Sequence, residues 1–493
     1  MATPEETLAP PPDPTTGSPP TRARSARPLI MRLHFYAGIL IAPFILVAAV
    51  TGALYALAPT IESVVYRDIL TVEPAGQALP LSDQAAAAQS DFPELAMSGL
   101  RPAPGPDDST RVYFTDPALS EDMLRAVFVD PYSARVLGDE ATWFGYLPLS
   151  TWLDGFHRHL NLGEPGRVYS ELAASWLWVV ALGGLYLWLV RRRRDKPRTP
   201  RATTVNRHGT IGVWALVFML FLSATGITWS TYAGAHVTDI RAALNWQRPQ
   251  LDASLTDEAG DGAGEHAGHE GHGAVLDPEA LDPAVLDPAV LDPAVLDPAV
   301  LDPASIDLDA VVAAANQAGV HAPLELTLPA DAGSAVSVTE IDKPFRLTTD
   351  VVAVDPTTAQ VTSAVDYWRD YTPVAMLADW GIRMHMGFLF GVLNQVLLLA
   401  VAVAITAAIV LGYRMWWQRR PTRRAGWVAS WSTGRPPPRG GLRRLHPAAV
   451  VALLAGAVAV GWFLPLLGLS LVAFLLVDLA FGAAKYRRAQ RLT

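Results

Sequence analysis

The sequence predicts a membrane α-helical protein with about six transmembrane helices. The first four form two tandem repeats, and two α+β domains lie outside the membrane. Three observations carry this. Hydrophobic residues are 51% of the chain and charged residues 17%, a membrane-protein balance. Of 38 Lys and Arg, 25 fall in four short stretches beside apolar runs, at 22–32, 191–207, 414–444 and 485–491. The third observation is a duplicated pattern of histidines and glycines.

His34 is followed by Gly38, Thr51-Gly52 and Tyr55, and His208 by Gly212, Thr225-Gly226 and Trp229, at the same offsets. His157, Gly163, Gly184 and Trp188 likewise match His385, Gly391, Gly412 and Trp416. Each half therefore reads as a membrane helix with a histidine near its start, an outside domain, then a second histidine leading into a second membrane helix. Both repeats enter and return in the same sense, so their pseudo-twofold axis lies along the membrane normal.

Apolar runs at 29–57, 171–190, 209–232, 387–413, 447–463 and 466–483 are close to the ~20 residues that cross hydrocarbon. The first is too long for a signal-peptide core, so it reads as an uncleaved span. The last two meet at Leu464-Pro465, a tight hairpin. Basic stretches mark the cytoplasmic side, and with six spans all four fall there. The chain then divides into a disordered cytoplasmic tail (1–28), a span (29–57) and an outside domain (58–156). An outer histidine motif with the second span (157–190), a basic loop (191–207) and a third span (208–232) follow. The second half holds an outside domain (233–383) with an insert (252–305), then a histidine motif and span (384–417). A cytoplasmic loop (418–445), the helical hairpin (446–484) and a short tail (485–493) complete it. The expected location is the inner, cytoplasmic membrane, with both termini cytoplasmic.

Each outside segment reads as a helix packed on an antiparallel sheet. In the first, 82–90 is helix-like, and strand-like runs start at Arg111 and Arg125. In the second, 308–318 is helix-like, and the alternation at 324–328, 336–338 and 351–354 is strand-like. A strand runs into Asp-Pro in both, at Asp130-Pro131 and Asp355-Pro356. The insert repeats Leu-Asp-Pro-Ala-Val pentads, and a proline every five residues forbids a continuous helix. It reads as an extended acidic linker.

The chain has no cysteine. That excludes disulfides, thiolate zinc sites, Cys-held iron–sulfur clusters and thioether-attached haem, so any haem is non-covalent and held by His or Met. The basic clusters have a topological explanation, which leaves no case for nucleic-acid binding.

These motifs resemble the PepSY-associated transmembrane family, which includes iron-regulated membrane proteins and siderophore reductases. The matching stretches are Arg32-Leu-His34 with Gly38, Phe156-His157 through Gly163 to Arg167, Arg207-His208 with Thr225-Gly226, and Met384-His385-Met-Gly387. The outside segments look like PepSY domains. The resemblance implies a b-type haem membrane protein, with ferric-siderophore reduction as one activity of the family.

A lone histidine at a membrane end serves ordinarily as an interfacial residue. Four at duplicated positions point to ligation, because ionisable residues beside spans are costly without a purpose and imidazole is an axial haem ligand. The topology pairs His34 with His208 on the cytoplasmic side and His157 with His385 outside, for two bis-His haems. The two levels would lie ~27 Å apart along a straight helix. His159 competes with His157 but has no counterpart in the second half. His446 suits a helix start, and His236 and His321 have no evident partners. His266, His269 and His272 form H-x-x-H-x-x-H beside Glu265 and Glu270, a zinc- or copper-like set in a Gly-rich stretch. Arg32, Arg207, Arg158 and Arg383 flank the four histidines as propionate partners or membrane anchors. The paired glycines serve either helix packing or a flat macrocycle.

The leading functional expectation is transmembrane electron transfer to an outside acceptor, with a ferric siderophore as the acceptor named by the resemblance. A membrane quinol or a separate reductase would be the donor, since nothing resembles a nicotinamide or flavin domain. The other readings are a membrane anchor whose PepSY-like domains bind or regulate an outside partner, and a metal-uptake accessory.

Overall fold

The computed structural model describes residues 26–191, 199–255, 305–329, 333–419 and 445–490, with Pro437 and Leu442. The pentads and the H-x-x-H-x-x-H stretch lie outside the described residues. The chain enters as α1 (Arg27–Leu40) and α2 (Ala42–Ala56), then α3 (Ala58–Val65) and α4 (Arg67–Leu70). Next come α5 (Leu81–Asp91) and strands β1 (Ala96–Arg101), β2 (Thr110–Thr115), β3 (Met123–Val129) and β4 (Val136–Trp143). Helices α6 (Pro148–His159), α7 (Glu164–Arg191), α8 (Pro200–Trp214), α9 (Leu216–Thr228) and α10 (Thr231–Ala243) follow. The second sheet half is α11 (Leu308–Gln317), β5 (Leu324–Thr327), β6 (Val336–Glu340), β7 (Val351–Val354) and β8 (Val361–Val365). Then come α12 (Tyr367–Asp370), α13 (Pro373–Met386), α14 (Val392–Trp417), α15 (Pro447–Phe463) and α16 (Pro465–Gln490).

Among the described residues three helices are long and apolar enough to cross a membrane, α7, α14 and the 465–484 part of α16. The bent pairs α1–α2 and α8–α9 raise that to five if each is one span, and α15 is a shorter apolar helix. The bends are 57° and 58° and fall at Ile41 and Ala215, each seven residues beyond its histidine. At Pro43 the missing N–H and the ring break the helix; the second bend has no proline to explain it. Ala37, Ile41 and Ile45 pack against Trp176, Leu177, Met219, Val401 and Ile405 to form the bundle core. Helices α15 and α16 are joined through Leu464 alone, with Pro465 opening α16, the position where a missing N–H costs nothing.

The eight strands form one antiparallel sheet, in the order β4-β3-β2-β1-β5-β6-β7-β8. The two outside domains expected from the sequence thus share a single sheet, joined where β1 meets β5. The halves repeat in detail. In the hairpins after β3 and β7, Asp130 accepts from the Tyr132 amide and Asp355 from the Thr357 amide. Each also carries an alanine at positive φ, Ala134 and Ala359, and a bulge at the same place. Both aspartates thus supply the turn acceptor that lets the strand reverse. Helices α5 and α11 cover one face through Leu81, Ala85, Leu308 and Val311 against Leu100, Leu326, Val338 and Val352. Strands β1, β4 and β8 escape the sequence reading. β1 carries a bulge, and β4 and β8 are the sheet edges, where little burial is needed and the apolar alternation weakens. Asp252–Leu255, assigned to the insert by sequence, lie instead beside 333–335, with Leu255 donating to Gly333 and Ala335 to Ala253 at 2.7 Å.

Gly99 makes the seam possible. A Cβ there would stand 2.4 Å from the Leu326 carbonyl oxygen, and only Gly99–Thr327 and Leu100–Leu326 are in register across the seam. Gly99→Val should part the two halves and lower the melting temperature of the full chain. Hydrogen exchange at Leu100 and Leu326 should rise; unchanged protection there would show that the seam does not depend on Gly99.

Candidate functional site

The two outer histidines precede the long helices α7 and α14, as the sequence reading places them before their spans. They ride in the last turns of two short helices, α6 and α13, each opened by proline and closed by a left-handed residue, Leu160 and Gly387. Those reversals swing the chain into α7 and α14. His159 follows two residues after His157, so on a helix it points about 200° away. Its ring lies against Gly155, and its Nδ1 is buried with no hydrogen-bond partner.

The fold brings His34 and His208 together, with ring centres 6.1 Å apart. It brings His157 and His385 to 6.3 Å. All four rings are anchored through Nδ1. His34 donates to the Val180 carbonyl at 3.0 Å and His208 to the Ala408 carbonyl at 2.8 Å. His157 meets the Thr51 hydroxyl at 3.0 Å and His385 the Thr225 hydroxyl at 2.5 Å. Each threonine gives its own hydrogen to a helix carbonyl, Val47 and Phe221 respectively. The histidines are therefore the donors, which puts the proton on Nδ1 and leaves Nε2 with a bare lone pair. The sequence separations are 146 and 200 for the carbonyl anchors and 106 and 160 for the threonine anchors. The same surplus in both is the length by which the second half exceeds the first.

Thr51 and Thr225 are the members of the candidate site that sequence reasoning missed. The signal was present, since Thr-Gly recurs at equal offsets, but the threonines served there only as landmarks. The glycines divide by role. A Cβ on Gly52 would press on the His157 ring at 2.9 Å, and one on Gly184 on the His34 ring at 3.2 Å. Gly38 and Gly212, one turn beyond the inner histidines on the same helix face, have open space where a Cβ would stand. That pair does not serve close helix packing.

The flanking arginines are mostly committed. Arg383 binds Asp342 at 2.7 Å and Asp379 at 3.4 Å. Arg32 pairs with Asp478 and donates to the Pro437 carbonyl. Arg158 reaches Asp154 at 3.3 Å, and Arg207 is exposed. Burial pushes the Asp342 carboxyl above its ordinary range, with Arg383 opposing. His446 accepts from the Ala448 amide and caps α15. His236 donates through Nδ1 to the Phe463 carbonyl at 3.0 Å and stacks on Trp462. The His321 amide donates to Glu340. Among the described residues no group of three or more His, Asp or Glu could hold a metal ion.

Membrane-crossing helices under a covered antiparallel sheet define a multi-pass membrane protein with a folded domain beside the bundle. The chain belongs to the PepSY-associated TM region family, whose model matches residues 31–419. An uncharacterized protein of Pseudomonas aeruginosa is 33% identical over 84 residues. That stretch is 16% of this chain and 21% of the relative, so the chain matches about a fifth of that protein's length.

Proposed function

We propose that the His34/His208 and His157/His385 pairs each hold one b-type haem, and that the protein passes electrons across the membrane to an acceptor outside. The observation that carries this is the two facing pairs, each with Nδ1 anchored and Nε2 bare. Imidazole–metal bonds of ~2 Å on opposite sides of one ion put the ring centres about 6 Å apart, which the separations of 6.1 and 6.3 Å match. Two imidazoles are too few ligands for a bare zinc ion, which takes about four, whereas a haem, which brings four nitrogens of its own, would need only these two from the protein. The space at Gly38 and Gly212 gives a flat ring room beside the inner pair.

When bound, haem supplies reversible one-electron chemistry. The chain's residues set the ring tautomer, orient each imidazole and exclude water from the bundle core. His34 with His208 would hold the inner group and His157 with His385 the outer one, and two protein ligands on each would favour electron transfer over oxygen chemistry. Bends at Ile41 and Ala215 bring the two levels closer than a straight helix would.

In the same proposal the chain has six spans, α1–α2, α7, α8–α9, α14, α15 and α16, with both termini in the cytoplasm of an inner-membrane protein. The basic loops then lie inside and the sheet outside, above His157 and His385. A ferric siderophore is the acceptor we favour, and a quinol or a separate reductase the donor. The test is the visible spectrum of the purified full chain from haem-replete cells. A Soret band that sharpens on dithionite reduction supports the reading, and its absence would overturn it.

A second outcome follows from the threonine anchors. Losing the hydrogen-bond partner of a ligating histidine lowers metal affinity ~10–100-fold. Thr51→Val and Thr225→Val, which keep side-chain shape, should therefore weaken the outer haem by about that factor in haem titrations and leave the inner haem intact. Equal loss at both levels would mean a general folding defect.

A further inference from the structure

The sheet face turned away from α5 and α11 carries a charge arrangement that the fold does not require. Arg101 on β1 and Arg111 on β2 are directly opposed across the strands, and like charges so placed destabilise a sheet. Arg101 is paired with Glu325 on β5, at 2.6 and 3.0 Å to the same oxygen. Arg111 has no carboxylate within ion-pair distance among the described residues; its guanidinium donates to the Gly145 carbonyl at 3.2 Å and lies over Phe128 at 5.3 Å. The pseudo-symmetric places in the second half hold Ser337 and Thr339, which oppose Ala353 and Val351 as Arg111 and Tyr113 oppose Phe128 and Ala126. A neutral residue therefore serves at the place of Arg111, and that arginine needs another reason.

Their donors converge. Phe144 and Gly145, both at positive φ, form a tight turn of the type that demands it. A Cβ on Gly145 would lie 2.9 Å from both the Arg101 guanidinium and the Tyr113 hydroxyl. That hydroxyl is buried without a hydrogen-bond partner, on a side chain only 3% exposed. Next along the chain, Tyr146 stacks on Phe388 with ring centres 5.9 Å apart, three residues past His385. The donors thus face the bundle side of the sheet, one aromatic pair from the outer histidines. Burial, then the charge of Arg101, holds the Arg111 guanidinium below its ordinary pKa, with Tyr113 and Glu325 opposing.

We propose that Arg101, Arg111 and Tyr113 form a seat for a carboxylate-bearing anion between the sheet and the His157/His385 pair. A guanidinium fork matches a carboxylate in shape and charge. The carboxylate has two sources, a dissolved anionic acceptor or a propionate of the outer haem. The second rests on the reading above; the first stands without it.

The experiment uses the detergent-solubilised full chain as wild type, Arg111→Gln, Arg111→Lys and Tyr113→Phe. Arg125→Gln is the control, since Arg125 is held by Asp116 and Asp139 elsewhere on the sheet. Radiolabelled citrate binding is measured by equilibrium dialysis, and the outer-haem content and midpoint potential by redox titration. Losing a charge-assisted hydrogen bond costs about tenfold or more in affinity. For a dissolved anion, citrate binds the wild type and weakens by that factor in Arg111→Gln, with Arg111→Lys and Tyr113→Phe intermediate and the haem unchanged. For a propionate, citrate does not bind, and Arg111→Gln alone shifts the potential of the outer haem or lowers its content. No citrate binding together with an unaltered haem in Arg111→Gln would overturn the seat. Citrate binding needs no haem, so a haem-free protein would defeat the electron-transfer reading while still deciding this one.

Discussion

His385→Ala should remove half of the haem from the purified protein and leave the other half with an unaltered spectrum. His157→Ala should remove the same half, while His34→Ala and His208→Ala remove the complementary one. The reason is geometric. Among the described residues each ring has one imidazole in ring contact, at 6.1 Å in the inner pair and 6.3 Å in the outer pair, and every Nδ1 is already spent on an acceptor of the protein. A bis-His iron that loses one ligand has no neighbouring imidazole to replace it. The nearest substitute by sequence, His159, is turned to the opposite side of α6 and packed on Gly155. Pyridine haemochrome assays give the content, and difference spectra identify which haem is lost. If His34→Ala and His385→Ala removed the same haem, the pairing would be wrong. If His159→Ala depleted the outer haem and His157→Ala did not, the ligand assignment would be wrong. Reduction of an outside acceptor should vanish in all four variants, since both levels lie on the one path.

Gly166→Ala should cost the outer haem as completely as removing a ligand, although residue 166 touches neither ring. The α6–α7 reversal is so tight that a Cβ on Gly166 would stand 1.8 Å from the His159 carbonyl oxygen and 2.4 Å from its carbon. These are backbone atoms that cannot rotate away. The last turn of α6 must shift, and that turn carries His157, whose ring has to stay 3.0 Å from Thr51. Overpacking costs ~1–3 kcal/mol when side chains can yield, and backbone yields less readily. The comparison is Gly163→Ala, three residues earlier. Gly163 sits at φ +64° with open space around it, so alanine there meets only the left-handed strain of ~1–2 kcal/mol. Gly163→Ala should lower the melting temperature and keep both haems, whereas Gly166→Ala should lose the outer one. Wild-type haem content and melting temperature in Gly166→Ala would refute the account.

Much of this was legible along the chain because its signals are local. Apolar runs of span length, basic stretches beside them and prolines every five residues are read without knowing what touches what. So are the strands that run into Asp130-Pro131 and Asp355-Pro356, because an aspartate followed by proline carries its own turn chemistry. Duplication added one non-local fact: equal offsets around His34 and His208, and around His157 and His385, say that whatever one half does the other does too. Edge strands were lost for the opposite reason. β8 has residues exposed along most of its length, so burial imposed no alternation on it.

The sequence by itself determined the membrane class and singled out the four histidines that the fold brings together in pairs. Only the tertiary structure decided how the halves meet. Nothing in β1 announces that Gly99 will lie against Leu326 or that Arg101 will bind Glu325, 224 residues away, and so two expected domains became one sheet. Nor does a threonine one residue before a glycine announce that it accepts a hydrogen bond from a histidine 106 or 160 residues distant. Periodicity records which face of an element is apolar, a property of that element alone. Which atoms then meet across two such faces depends on crossing angles, helix reversals and the absence of a Cβ at a few glycines, and these are set only when the elements pack together.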